Sequence, residues 1–257
     1  MSTVRENLSE ELIDIGGYRL CLQCAGEGKP TVVIDAGSGE GRKEYQWLQS
    51  QVAAFTRVCT FDRAGLGRSD KGPKPRTSQQ MVNELHALLS NAHVDPPYVL
   101  VGHSISGLNA RLYAAEYPHE VVGIVLLDPT PPDILPRLDS VWGKARTKIL
   151  WTLQVAMAGE GRSKQNFATD FEQVTAAKLP DVPLVVISAG QPLPLPGFLN
   201  SLLPSATLNG VMQEGGAALA KASGKGEHLI AEKSNHITLR QDDFVVAAIQ
   251  RVVQTAR

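Results

Sequence analysis

Short apolar runs alternate with amphipathic stretches along this chain, the pattern of a largely parallel sheet whose crossovers are helices. Glu11–Ile15 and Tyr18–Cys24 read as an opening hairpin around Gly16 and Gly17. Thr31–Ile34 is a short buried strand, followed by a glycine-rich loop, Asp35–Gly41. Glu44–Phe55 reads as helix, Val58–Phe61 as strand, and Asp62–Gly67 as a sharp turn. A proline-broken loop leads to Thr77, a good N-cap for a helix reaching about Ala92. Tyr98–Val101 is the next strand, Ile105–Tyr117 a helix stopped by Pro118, and Val121–Leu127 a further strand.

The alternation then pauses. Between Pro129 and about Asp181 no run reads as a strand, and the segment turns helical around Trp142, Ile149, Leu150, Trp151 and Met157. Two exposed-looking tryptophans on an insertion at this point suggest a small helical lid over residues 131–180. The plainer alternative is a helix that packs on the core. Strands at Pro183–Ile187 and His228–Ala231 resume the pattern, with a helix near Val211–Ala222 between them and a closing helix from about Asp242. Asp242 and Asp243 suit the positive end of that helix. The expectation is an α/β fold with a mostly parallel eight-stranded sheet flanked by helices, forming one domain over 1–257. A chain of 257 residues is near the upper size for one core.

Composition narrows the function classes. Hydrophobic residues make up 43%, charged residues 20%, and the formal net charge is -1, so no basic excess points to nucleic acid or a membrane surface. Met1–Asp14 is polar and acidic, without the basic start and apolar core of a secretory signal. No apolar run approaches the roughly 18 residues of a spanning helix. Cytoplasmic residence is the simplest reading. Cys21 and Cys24 form a CxxC, but residues three apart on a strand face opposite sides, and no second pair completes a zinc site. With three cysteines in all, they read as ordinary core residues.

The segment Val99–Gly107 carries the chemistry. Its Gly102-His103-Ser104-Ile105-Ser106 string follows a strand and opens a helix. A serine in such a strained strand-to-helix turn has its Oγ pushed into the open, where it can act as a nucleophile. The turn brings the residues two before and two after the serine together, so both must be small. Gly102 meets this. Ser106 stands where glycine is usual and could crowd the elbow slightly.

These features resemble the α/β-hydrolase fold superfamily, in its serine esterase and lipase-like branch. The resemblance runs from about Tyr18 to the C-terminus. It rests on the glycine-rich loop after the third strand, Asp62-Arg63-Ala64-Gly65-Leu66-Gly67-Arg68-Ser69 after the fourth, Gly102-His103-Ser104 after the fifth, and Ser234-Asn235-His236 near the end. Asp62 and Arg63 carry over as structural turn residues, and His103 as a residue packing behind the elbow. The resemblance implies that His236, in the loop between the last strand and the final helix, is the base that accepts the Ser104 proton. His228, in the last strand itself, is the alternative.

A triad needs a carboxylate to orient that histidine. Most members of the superfamily place it after the seventh strand, but Ser188–Gly197 contains none, and Asp181 comes before that strand. The other known location is after the sixth, where Asp128 sits at the carboxyl end of Val121–Leu127. Asp133 is the runner-up, and a Ser-His dyad is a third reading. The oxyanion donors implied are the backbone N–H groups of Ile105 and, by aligning Gly37 with the family's His-Gly loop, Ser38. A phosphate-loop reading of Gly37–Gly41 fails because no Gly-Lys-Ser/Thr follows. No metal cluster or nucleotide motif is present in the sequence, so the mechanism calls for no cofactor. The reading is a hydrolase of small-molecule carboxylic esters, lactones among them, with water as the second substrate. An amidase, peptidase or carbon–carbon bond hydrolase on the same triad, or a hydrolase-like binding protein with little turnover, stays open.

Overall fold

A computed structural model describes residues 10–157 and 164–257. Eight strands form one sheet: β1 (Glu10–Asp14), β2 (Arg19–Ala25), β3 (Thr31–Asp35), β4 (Val58–Asp62), β5 (Tyr98–His103), β6 (Val121–Leu127), β7 (Leu184–Ala189) and β8 (Gly226–Ala231). Their spatial order is β1-β2-β4-β3-β5-β6-β7-β8. β1 and β2 pair antiparallel, as do β2 and β4, and every other pair is parallel. The expected mostly parallel eight-stranded sheet is therefore the architecture.

The apolar runs are continuous because both faces of the sheet are covered. In β3, Val32 and Ile34 point into one apolar layer and Val33 into the other. One layer is closed by α1 (Gln46–Val52) and α9 (Asp243–Thr255), through Leu48, Val52, Val245, Ile249 and Val252. The other is closed by α2 (Ser78–Asn91) and α3 (Ser106–Glu116), with Val82, Leu85, Leu88 and Leu108. Thr77 caps α2 as expected, its side chain accepting from the Gln80 N–H. α3 is buried on every side from Ser106 to Ala114, so it carries no amphipathic stripe.

The insertion between β6 and β7 holds α4 (Ile134–Trp142), α5 (Lys144–Met157) and α6 (Lys164–Ala176). Its tryptophans are not the exposed pair the sequence suggested. Trp151 is 7% exposed and packs edge-on to Phe167, with ring centroids 4.9 Å apart. Trp142 is half-buried. α7 (Gly197–Leu202) and α8 (Ser205–Ala220) precede β8. α8 begins six residues before the sequence reading places it, because its first turns carry the weak helix formers Ser205, Thr207, Asn209 and Gly210. Gly215 packs so close to the insertion that an added Cβ would lie 2.1 Å from Pro131 Cγ.

The cysteine reading also needs correction. Cys24 and Cys59 form a disulfide between β2 and β4, and only Cys21 is free. The two residues stand opposite one another in the antiparallel register. The sequence hides this because the partner of Cys24 lies 35 residues away, not in the nearby CxxC.

Candidate active site

β5 ends at His103, and α3 starts at Ser106. Between them Ser104 adopts φ 57°, a left-handed conformation that costs a non-glycine residue energy and persists only where the surroundings impose it. Neighbours impose it here: the Ser104 N–H donates to Leu127 O at 2.9 Å, and its carbonyl accepts from Thr130 N at 3.0 Å and Gly107 N at 3.1 Å. Gly102 is required, since a Cβ there would lie 2.6 Å from Ser106 O. Ser106 does not simply crowd the elbow. Its hydroxyl donates to Ala36 O and accepts from Arg63 Nη1 at 2.9 Å, which ties the start of α3 to the loop after β3.

Asp128 follows β6 at φ 40° and is 3% exposed. Its two oxygens are divided. Oδ1 accepts from the Ala189 N–H at the end of β7, at 3.1 Å, and Oδ2 lies 2.6 Å from His236 Nδ1. Burial pushes the Asp128 carboxyl up. The His236 hydrogen bond and charge, with the Ala189 N–H, more than offset this, so the group lies below the ordinary carboxylate range. Asp133 faces away: its side chain is 53% exposed and pairs with Arg137 at 2.8 Å. His228 is engaged by Ser188 Oγ at 2.9 Å.

His236 sits in the loop between β8 and α9. Asn235 Oδ1 accepts from Ile237 N and Thr238 N at 2.9 and 3.1 Å, and Ser234 Oγ donates to Asp242 Oδ2 at 2.6 Å. Asp242, read from sequence as a helix-end residue, therefore caps α9 through Phe244 N and anchors this loop as well. The structure brings Ser104, Asp128 and His236 to one cavity of about 120 Å3. Its other walls are mainly apolar: Ile134 and Leu138 from α4, Leu150 and Trp151 from α5, Leu195, and Leu208 and Met212 from α8. Asn209 is a polar exception on that lining. No hydrogen bond joins Ser104 Oγ to His236 among the contacts of the described residues.

Ser38 lies in the loop after β3 and Ile105 directly after Ser104; neither is among the residues lining the cavity, and neither backbone N–H donates to an acceptor among the described residues. Ile105 is 2% exposed, so its unused donor is a buried one, which calls for a partner. The β3 loop is held by Arg63, which ion-pairs with Asp35 and donates to Ala36 O and, at 2.6 Å, to Gly37 O. Asp62 accepts from Arg42 N and Arg68 N. Both residues thus hold backbone, as the sequence suggested. Among the described residues no group of three His, Cys, Asp or Glu side chains is placed to hold a metal ion.

Glu40 and Tyr45 escaped the sequence reading. Tyr45 is fully buried, and its hydroxyl lies 2.5 Å from His103 Nδ1 and 2.7 Å from Glu40 Oε2. Nothing in the order of residues signals this, because His103 lies 58 positions further along.

The family model for the alpha/beta hydrolase fold matches residues 31–182, more than half of the chain. The chain belongs to the alpha/beta hydrolase fold family. The uncharacterized protein YqjL of Bacillus subtilis (strain 168) is 37% identical over 108 residues, 42% of this chain and 43% of that protein. The chain spans less than half the length of the curated relatives it matches. A thermophilic esterase from Thermogutta terrifontis superposes with a TM-score of 0.63 at 17% identity, over 96% of this chain and 99% of that one. The enol-lactonase from Burkholderia xenovorans LB400 also gives 0.63 at 17%, over 96% and 100%. At these identities the likeness shows the fold.

Proposed function

We propose that this hydrolase cleaves carboxylic esters, lactones among them, through Ser104, His236 and Asp128 and an acyl-enzyme intermediate. The observation that carries the reading is the 2.6 Å contact of His236 Nδ1 with a buried Asp128 carboxylate, on the same cavity as Ser104. A carboxylate at Nδ1 fixes the proton there and leaves Nε2 free to accept one. Ser104 lines the same cavity as His236, and catalytic contacts of this kind commonly tighten only once substrate is bound.

In acylation, Ser104 Oγ bonds to the ester carbon while its proton passes to His236 Nε2. The carbonyl oxygen becomes an oxyanion, held by the Ser38 and Ile105 N–H groups, each worth about 3–4 kcal/mol to such a transition state. Collapse breaks the carbon–oxygen bond, and His236 returns the proton to the leaving alcohol. Water repeats the sequence on the acyl-enzyme, releasing the acid and restoring Ser104. In this reading the insertion serves as a lid: Leu138, Leu150 and Trp151 line the cavity, and their apolar surface would exclude water from the acyl group. The cavity's size and apolar lining suit a short to medium acyl chain.

The esterase and enol-lactonase named above supply fold precedent only. A panel of p-nitrophenyl esters, small lactones and anilides tests the reading. Turnover of esters or lactones, absent in Ser104→Ala, supports it. Turnover confined to anilides sinks ester specificity, and undiminished turnover in Ser104→Ala sinks the nucleophile.

A further inference from the structure

Three polar side chains outside the proposed triad converge on the loop that carries His236. His103, 1% exposed, places Nε2 2.9 Å from the His236 carbonyl oxygen, and its ring lies against the His236 ring with centroids 4.6 Å apart. Its Nδ1 meets Tyr45 Oη, which in turn meets Glu40 Oε2. The Gly37 N–H donates to both oxygens, at 3.1 Å each. The other Glu40 oxygen pairs with Arg240, four residues beyond His236. The chain of contacts therefore leaves the His236 loop at one carbonyl, runs through three side chains, and returns to the same loop at a guanidinium. On the way it grips the residue next to Ser38.

We propose that Glu40, Tyr45 and His103 are positioning residues for the hydrolysis assigned above, setting the His236 imidazole and the Gly37–Ser38 backbone in register around Ser104. This rests on the reading of His236 as base. Apolar side chains would fill the same interior at lower desolvation cost, so packing alone does not account for this set. What the set does that apolar groups cannot is fix a particular backbone carbonyl and a particular N–H by direction as well as distance.

The proton count shows how tightly the groups are coupled. The Tyr45 hydroxyl has one proton and faces two acceptors, Glu40 Oε2 and His103 Nδ1. His103 Nε2 needs its own proton to meet a carbonyl. Both short contacts are hydrogen bonds only if Glu40 and His103 hold one proton more than a carboxylate and a neutral imidazole. Burial pulls the His103 pKa down against the pull of Glu40. Burial pushes Glu40 up, but His103, Tyr45 and Arg240 bring it from 4.5 to about 2. Taken singly, both directions leave the extra proton on neither residue, whereas the two short contacts require it. The geometry places it on His103, whose two nitrogens both face oxygens, while Arg240 compensates the Glu40 carboxylate.

The test compares Tyr45→Phe, His103→Leu and His103→Gln with the wild type in two assays. One is kcat and KM on p-nitrophenyl butyrate. The other is the rate at which a fluorophosphonate labels Ser104, which reads activation of the serine without depending on the native substrate. Misplacement of a catalytic group by about 1 Å costs up to roughly 100-fold. Tyr45→Phe and His103→Leu should therefore lower kcat and labelling by about 10- to 100-fold, with KM changed less than about threefold. His103→Gln can offer an amide N–H to the His236 carbonyl and should recover about tenfold over His103→Leu. Tyr45→Phe removes a single oxygen, so it decides the matter if His103→Leu does not fold. A folded Tyr45→Phe with kcat and labelling within threefold of wild type overturns the proposal, as does a loss confined to KM. If the wild type neither hydrolyses ester nor labels at Ser104, the functional reading itself has failed. An active wild type, a dead Ser104→Ala and a wild-type-like Tyr45→Phe reject the positioning role alone.

Discussion

Replacing Asp128 with Asn keeps the shape of the side chain and inverts its hydrogen bonding. The two Asp128 oxygens accept from different donors, the Ala189 N–H at 3.1 Å and His236 Nδ1 at 2.6 Å. An amide has one oxygen. If that oxygen stays with Ala189, the NH2 group faces His236 and forces Nδ1 to accept, which moves the imidazole proton to Nε2, where it cannot take one from Ser104. If the amide is turned round, two buried donors meet at Ala189, at a cost of about 1–3 kcal/mol. The inactive tautomer is therefore the favoured one. The active one has also lost the charge that stabilises imidazolium. Together these amount to about 3–5 kcal/mol, or roughly 10²–10⁴ in kcat. The backbone tolerates the change, because φ is 40° at this position and Asn is among the residues most at ease there. Circular dichroism should thus be unaltered while hydrolysis of p-nitrophenyl butyrate falls. Asp133→Asn, which loses only an exposed pairing with Arg137, should cost less than about tenfold. An Asp128→Asn protein that keeps more than a tenth of wild-type kcat would refute the reasoning.

Trp151→Ala should do two things at once, because Trp151 both packs on Phe167 and lines the cavity. It should lower stability by about 3–5 kcal/mol and shift preference toward longer acyl chains in an ester series; a stability loss without any shift would assign Trp151 to packing alone. Against the push of burial, His103, Tyr45 and Arg240 bring the Glu40 carboxyl down from 4.5 to about 2, so its contribution is fully present above about pH 4.5 and is lost as pH falls toward 2. It amounts to about 3 kcal/mol, and Glu40→Gln should flatten that part of the urea-midpoint curve between pH 5 and 3; identical curves would contradict it. The Cys24–Cys59 bond closes a loop of 35 residues' separation, so Cys24→Ser should cost about 3–4 kcal/mol by loop entropy. An unchanged urea midpoint under non-reducing conditions would argue against the bond.

What was legible in the sequence follows from the range of each signal. Strands and helices are written locally, so β6 was read to the residue and Thr77 was recognised as the cap of α2. Ser104 and His236 each stand at a turn whose neighbours single it out, and both line one cavity. Asp128 needed an argument by exclusion, and the side chain does reach His236 across β7's end. The misses are contacts between distant residues. Cys24 finds Cys59 on β4, Trp151 finds Phe167, and Glu40 and Tyr45 find His103. None of these pairs shares a local pattern. The early start of α8 was hidden for another reason: Ser205, Thr207, Asn209 and Gly210 are weak helix formers across its first turns. The disulfide also removes one support for cytoplasmic residence, since such bonds persist mainly in oxidising compartments. What the structure does show is that no helix among the described residues is long and apolar enough to cross a membrane.

The central claim is that Ser104 is a nucleophile activated by His236 and Asp128. The most direct measurement is intact-protein and peptide mass spectrometry after treatment with a fluorophosphonate, which bonds to an activated serine with loss of fluoride. The account predicts a single adduct on the peptide containing Ser104, none in Ser104→Ala, and labelling slowed by at least about 100-fold in His236→Ala and Asp128→Asn. An adduct on another residue, or labelling of Ser104 that is indifferent to both substitutions, would contradict it.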